Sequence, residues 1–284
     1  MDFNFKPTTA LIFTGQLRLQ ENQTPLEKIQ KQLELFPHDE VYMFVWDYEY
    51  QQHKTQLDQI KAHIIVGDSK QPTFDDETMQ YLVLQFRNYF IRKMIKDNEK
   101  DTKRDHIEKI LFNWTKHYYI RQKTFQEVNL KHTFYIITRY DNIYVGDAQL
   151  DELKSFLDSP KPCISTPLYG DADGIGLGDL FVMTNKSGAK IFQTYLEQII
   201  EEVKKNLCPS SPEAALRYIF ANKHDADVYR INLPCTTEEM VKRNFWLHGN
   251  TPFQYIRQDK LKVPITYAPD NVDVTFDLPL FQNK

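Results

Sequence analysis

Short runs of β-branched and aromatic residues alternate along the chain with longer stretches whose apolar positions recur every three to four residues. Thr9 to Thr14 (TALIFT), Val41 to Trp46 (VYMFVW) and Ala62 to Val66 (AHIIV) are mostly apolar and lack the alternation of a strand with one wet face, so they predict strands buried on both sides. Each run ends at a break, at Gly15, Asp47 and Gly67. Thr24-Pro25-Leu26-Glu27 carries a helix start: a hydroxyl at the cap, proline at the first helical position and a carboxylate three residues after the cap. From about Asp75 to Val128 the spacing is helical. Leu82, Phe86, Tyr89, Phe90, Lys93 and Met94 continue one face, and Ile107, Ile110, Leu111 and Trp114 begin another, which predicts two long helices flanking a charged link from Asp97 to Asp105.

Further strands are expected at Thr133 to Thr138 (TFYIIT), Cys163 to Thr166, Leu180 to Thr184 and Val228 to Leu233. One amphipathic helix is expected near Lys186 to Lys204, a second from Ser211-Pro212-Glu213, and a capped helix over Thr236 to Lys242, before an irregular, proline-punctuated end. Strands alternating with helices point to an α/β fold, a Rossmann-type mostly parallel central sheet flanked by helices. In such sheets ligands bind outside the carboxyl ends of the strands, where the strand order reverses.

Composition narrows the function classes. The 41% hydrophobic content of 284 residues is enough for a sizeable core, which excludes disorder. With 35 Lys and Arg against 39 Asp and Glu the formal charge is -4, which removes the simplest electrostatic case for a nucleic-acid partner. Cys163, Cys208 and Cys235 are odd in number and lack CxxC spacing, which argues against a disulfide framework or a zinc site and favours a reducing compartment. No apolar run approaches the roughly 18 residues of a membrane span, and the N-terminus lacks a signal-peptide pattern, so a soluble, cytoplasmic protein is expected.

Three strand ends present polar groups: Gly15-Gln16-Leu17-Arg18, then Asp47, then Arg139-Tyr140-Asp141. In a parallel sheet all three share one edge. Gly15 lets backbone pass close to a ligand, and the planar Arg18 fork suits a phosphate, although neither GxxxxGK[ST] nor GxGxxG is present. Asp141 is placed either to hold a hard divalent cation or to form an ordinary ion pair with Arg139. Four of the nine glycines, Gly170, Gly174, Gly176 and Gly178, fall among Asp171, Asp173 and Asp179, marking a loop whose backbone must come close to something and whose acids could serve as a general base. Glu213 at a helix start is favoured by the helix dipole whatever else it does. Tyr140, Tyr169, Trp46 and Trp246 lie near these loops and offer rings for stacking on a base or sugar.

The chain resembles the nucleotide-sugar-dependent glycosyltransferases of the GT-A fold, in particular the small ones of bacterial surface-polysaccharide clusters and large DNA viruses. The resemblance rests on Ala10-Leu-Ile-Phe-Thr-Gly-Gln-Leu-Arg18, Phe44-Val-Trp-Asp47, Tyr135-Ile-Ile-Thr-Arg-Tyr-Asp141, Gly178-Asp-Leu-Phe-Val-Met183 and Pro212-Glu213, and spans residues 9 to 220. It implies one domain over residues 1–284 with a helical insertion, a nucleotide-binding half over about 1–145 and an acceptor-binding half over about 146–284. It further implies transfer of a sugar from a nucleotide donor, with uridine as the leading nucleotide, to a glycan hydroxyl, with inversion. Thr14, Gly15, Gln16 and Arg18, together with Asp47, Arg139 and Tyr140, would line the donor pocket. Asp141 would be the last position of the DxD motif that holds Mn2+ or Mg2+, a motif whose first position is here Arg139. Asp179 would be the catalytic carboxylate, with Asp171 and Asp173 behind it, and Glu213 and Tyr169 would contact the acceptor. The alternatives are a sugar nucleotidyltransferase or a non-catalytic carbohydrate- or nucleotide-binding protein on the same fold.

Overall fold

The computed structural model describes residues 7–83, 104–144, 150–167, 177, 180–205, 212–231, 233, 235–237 and 256–257. Ten strands are described: β1 (Thr9–Thr14), β2 (Glu40–Trp46), β3 (His63–Gly67), β4 (Phe134–Arg139), β5 (Asn142–Tyr144), β6 (Cys163–Pro167), β7 (Phe181–Asn185), β8 (Asp227–Ile231), β9 (Cys235–Thr237) and β10 (Ile256–Arg257). The helices are α1 (Pro25–Leu35), α2 (Asp47–Leu57), α3 (76–83), α4 (Arg104–Glu127), α5 (Leu150–Leu157), α6 (Lys186–Phe192), α7 (Tyr195–Lys204) and α8 (Pro212–Arg217), the last running into a π-helical turn, Tyr218–Lys223.

Eight strands form one sheet in the order β10-β8-β6-β7-β4-β1-β2-β3, while β5 and β9 pair separately. β3, β2, β1 and β4 are mutually parallel, as are β6 and β8; β7 runs against both neighbours and β10 against β8. The expected mixed α/β architecture with a mostly parallel sheet is therefore present. The sheet takes strands from both halves of the chain.

Alternate residues of each strand feed two apolar layers. Ala10, Ile12, Phe44, Tyr135, Ile137 and Val182 pack toward α4, α6, α7 and α8. Leu11, Phe13, Met43, Val45, Ile136 and Phe181 pack toward α1, α2 and α5. Every residue of β1 is buried, so its uniform apolarity follows from having two covered faces. β1 connects to β2 through α1 on one side, whereas β4 is reached through α4 on the other. The connections thus change faces between β1 and β4, which makes that boundary the switch point of the sheet.

The α1 capping box forms as expected: Thr24 Oγ1 accepts from Glu27 N (3.2 Å) and Glu27 Oε2 accepts from Thr24 N (2.8 Å). Three expectations need correction. Asp47 opens α2 rather than a polar break, and its start is hidden in sequence because Trp46 at the cap has no side-chain oxygen. The single helix over Lys186 to Lys204 is two. Gln193 and Thr194 interrupt it, and Gln122 Oε1 on α4 accepts from Leu196 N (2.8 Å), satisfying a donor at the fresh helix start. Thr236 lies in β9, paired with Ile143 of β5, instead of capping a helix. α5 has no counterpart among the expected helices. Most of the expected helix from Asp75 and most of the last forty residues lie outside the described residues.

Candidate functional site at the strand carboxyl ends

β1 and β4 end in register, Thr14 beside Arg139, and the chain leaves both at the same rim. Thr14 is buried, with Oγ1 donating to Thr138 O (3.2 Å) and its carbonyl accepting from Tyr140 N (3.4 Å), so it ties the two strand ends together. Beyond it the backbone turns through two positive-φ residues, Gly15 (φ 95) and Arg18 (φ 39). Gly15 suits that geometry because it has no Cβ; Arg18 adopts it at a cost. Both flank Leu17, whose N–H donates to Glu49 Oε1 (2.9 Å).

The Gln16 and Arg18 side chains on this arm are exposed and joined in a chain, while Leu17 between them is buried. Arg18 Nε donates to Gln16 Oε1 (2.7 Å), and Gln16 Nε2 donates to Tyr48 OH (2.9 Å). Tyr48, in the first turn of α2, keeps its ring 45% exposed. Asp47 beside it accepts from Tyr48 N (2.8 Å) and Ser69 N (3.2 Å) through Oδ1. Hydrogen bonds from the Ser69 side chain and these backbone groups hold its carboxyl below the usual aspartate range. Lys116 of α4 lies over the rings of Phe112 (4.4 Å) and Trp46 (4.8 Å), and burial lowers its pKa.

Across the switch point, Arg139 grips Asp141 with two bonds, Nε to Oδ1 (2.9 Å) and Nη2 to Oδ2 (2.8 Å). A buried polar network supports this turn. Gln32 Nε2 of α1 donates to the carbonyls of Arg139 (3.0 Å) and Asn142 (3.2 Å), while Thr138 Oγ1 donates to Gln32 Oε1 (2.8 Å). Asn142 Nδ2 donates to Leu180 O (2.6 Å) and Tyr144 OH (2.9 Å). Because β7 runs antiparallel, with Phe181 opposite Thr138, its amino end lies at the rim where the parallel strands end. Leu180, which follows Asp179 in sequence, is therefore at this rim too.

The rim thus assembles Gly15, Gln16, Arg18, Asp47, Arg139 and Asp141. Tyr140 is not among the surface groups. It is 1% exposed, stacked on Phe13 (centroids 5.7 Å apart), donates to Phe44 O (2.6 Å), and burial pushes its hydroxyl pKa well up. This corrects its expected place in the donor pocket: strand alternation turns its ring into the core. Glu213 is half-buried in α8, and its carbonyl accepts from Leu177 N (2.9 Å). Tyr169, Asp171, Asp173 and Asp179 lie outside the described residues. Tyr48, Glu49, Gln32 and Asn142 were not singled out in sequence. Glu49 had a weak signal, an acid three residues after a strand end, the N3 place of a capping box.

For a divalent cation, the described donors do not fit. Both Asp141 oxygens are engaged by Arg139, and among the described residues no group of three His, Cys, Asp or Glu side chains is placed to hold an ion.

A cavity of about 300 Å³ lies at the other edge of the sheet, lined by Glu40, Tyr42, His63 and Lys131 among others. Its carboxylate is committed. Lys131, Tyr42 and His132 all bond Glu40, and Lys131 foremost lowers its pKa to about 2. The convergent strand-end groups are at the switch point, away from this cavity. No described helix is long and apolar enough to cross a membrane.

No protein-family model and no curated protein matches the chain. Among solved structures it is similar to the apo-form glycosyltransferase GlyE of Streptococcus pneumoniae TIGR4, with 14% identity and a TM-score of 0.41. That match covers 78% of this chain and 45% of the other, so the chain spans less than half of GlyE. It is also similar to apo mouse xyloside xylosyltransferase 1 (11% identity, TM-score 0.35, 77% of this chain and 82% of that chain). A third is the 4-diphosphocytidyl-2C-methyl-D-erythritol synthase of Anaerococcus prevotii DSM 20548 (9% identity, TM-score 0.37, 71% and 84%).

Proposed function

We propose that this chain is a glycosyltransferase that moves a sugar from a nucleoside diphosphate donor, a UDP-sugar first, to a glycan hydroxyl. The observation that supports it is the meeting at the switch point of a guanidinium-bearing arm, Gln16 to Arg18, with the Arg139–Asp141 turn. Arg18 is the anchor for the diphosphate, with Tyr48 offering a ring for the base. In the reaction the bond between the anomeric carbon and the diphosphate oxygen breaks, and the oxygen leaves with the electron pair. The acceptor oxygen bonds to that carbon, and its proton passes to a carboxylate. Negative charge grows on the leaving oxygens, so cationic side chains beside them favour the transition state over the ground state. Asp179 is our candidate for the base, with Asp171 and Asp173 behind it; attack opposite the leaving group gives inversion. The described donors do not make up a cation site, and Arg139 already holds both Asp141 oxygens.

Calorimetry with a panel of nucleotide sugars, followed by an assay for released nucleoside diphosphate with glycan acceptors, tests the reading. Binding with turnover is expected. Binding without any turnover would favour a non-catalytic role, and pyrophosphate release from a nucleoside triphosphate and a sugar phosphate would favour a nucleotidyltransferase. Failure to bind any nucleoside diphosphate ends the proposal.

A further inference from the structure

Glu49 is buried at the first turn of α2, between the end of β2 and the arm that follows β1. One carboxylate oxygen accepts from Leu17 N (2.9 Å) and the other from Trp46 N (3.1 Å). The first bond reaches across 32 residues of sequence to the arm; the second closes its own helix start. Leu17 sits between the two positive-φ residues, Gly15 and Arg18, so its N–H, with a backbone bond from Arg18, fastens this turn to the first turn of α2. A neutral glutamine offers one acceptor and one donor, and cannot satisfy two N–H groups with two oxygens.

We propose that Glu49 is a positioning residue that holds the Gln16–Arg18 arm in its ligand-gripping conformation, so that the arm's hold on a nucleoside diphosphate depends on the ionised carboxylate. This rests on the donor-site reading above. Burial, its largest influence, raises the Glu49 pKa above the ordinary glutamate value despite the opposing backbone hydrogen bonds. Protonation therefore begins at a higher pH than for an exposed glutamate. Once protonated, the group turns one acceptor into a donor facing an N–H, and the arm loosens. The charged and titratable groups around it are His53 and Tyr48 on its own helix, Arg18 on the arm and Tyr140 after β4.

The sign for folding is opposite to the sign for binding. A raised carboxylate pKa adds stability below the unfolded value, and that stability is lost as pH rises through the folded value.

The test is calorimetric titration with UDP-glucose, whose substituted diphosphate keeps its charge in acidic solution, from about pH 8 down to about pH 4. Affinity of the unmodified chain should fall by up to about tenfold per pH unit on the acid side, with the onset above the ordinary glutamate range. Glu49→Gln should bind about tenfold more weakly at neutral pH and show no acid limb. His53→Gln, which removes the imidazole that faces Glu49 from the same helix, should keep the limb. Flat affinity of the unmodified chain across this range overturns the inference even if the variant fails to fold, as does a variant with unchanged affinity and profile. Absence of UDP-glucose binding at every pH overturns the donor-site reading itself and this inference with it.

Discussion

Asn142→Ala tests how the two sides of the rim are joined. The Asn142 amide donates to Leu180 O at 2.6 Å and to the Tyr144 hydroxyl at 2.9 Å, and the residue is buried. The consequences of truncation are unequal. Thr138 and Tyr144 hydroxyls lie 2.7 Å apart, and Thr138 also bonds Gln32, so both stay satisfied without the amide. The Leu180 carbonyl loses this donor in a buried setting, which costs roughly 1–3 kcal/mol, so a central expectation is about 2 kcal/mol. For a chain of this length that corresponds to a melting shift of roughly 4–8 °C. Urea unfolding followed by circular dichroism measures it as a lower midpoint with an unchanged slope. Asn142→Asp should destabilise further, because it sets a carboxylate against the carbonyl. A loss below about 0.5 kcal/mol for Ala, or an Asp variant as stable as the original, would refute this account of the join.

Other outcomes are expected at the rim. Arg18→Ala should weaken UDP-glucose by about tenfold or more in calorimetry, the scale of a charge-assisted contact, and an unchanged affinity would move the diphosphate elsewhere. Asp179→Ala should leave donor affinity nearly intact and slow transfer by about 100-fold or more in a product-release assay; an unchanged rate would pass the role to Asp171 or Asp173. Chelation with EDTA should change UDP-glucose affinity by less than about twofold, while a loss of about tenfold would place a cation on Asp141 after all.

Much of the fold was legible because burial on both faces of β1, β2 and β4 imposes continuous apolar runs, which also mark where each strand ends. The strand ends in turn named Arg18, Asp47, Arg139 and Asp141. The orientation of Tyr140 was not legible from its position in the motif, since one residue of strand-like alternation separates a rim group from a core ring. Glu49 and Gln32 were missed for a related reason. Each acts on backbone groups from a distant segment, Leu17 for the first and Arg139 for the second, and only the folded chain brings those partners near. The division of α6 from α7 was hidden in the same way, because Gln122 of α4 supplies its partner.

The reversed direction of β7 gives the protein a modular layout. Pro167, which ends β6, and Leu180, just before β7, reach the rim from the opposite half of the sequence to the Gln16–Arg18 arm, yet all are seated on one sheet. Replacing the segment between those two residues by another of suitable length leaves the pairing of β1 with β4 and the grip of Gln32 on its two carbonyls untouched. On the function proposed above, exchange of this one connection would change which alcohol is accepted while the contacts to the donor diphosphate are kept.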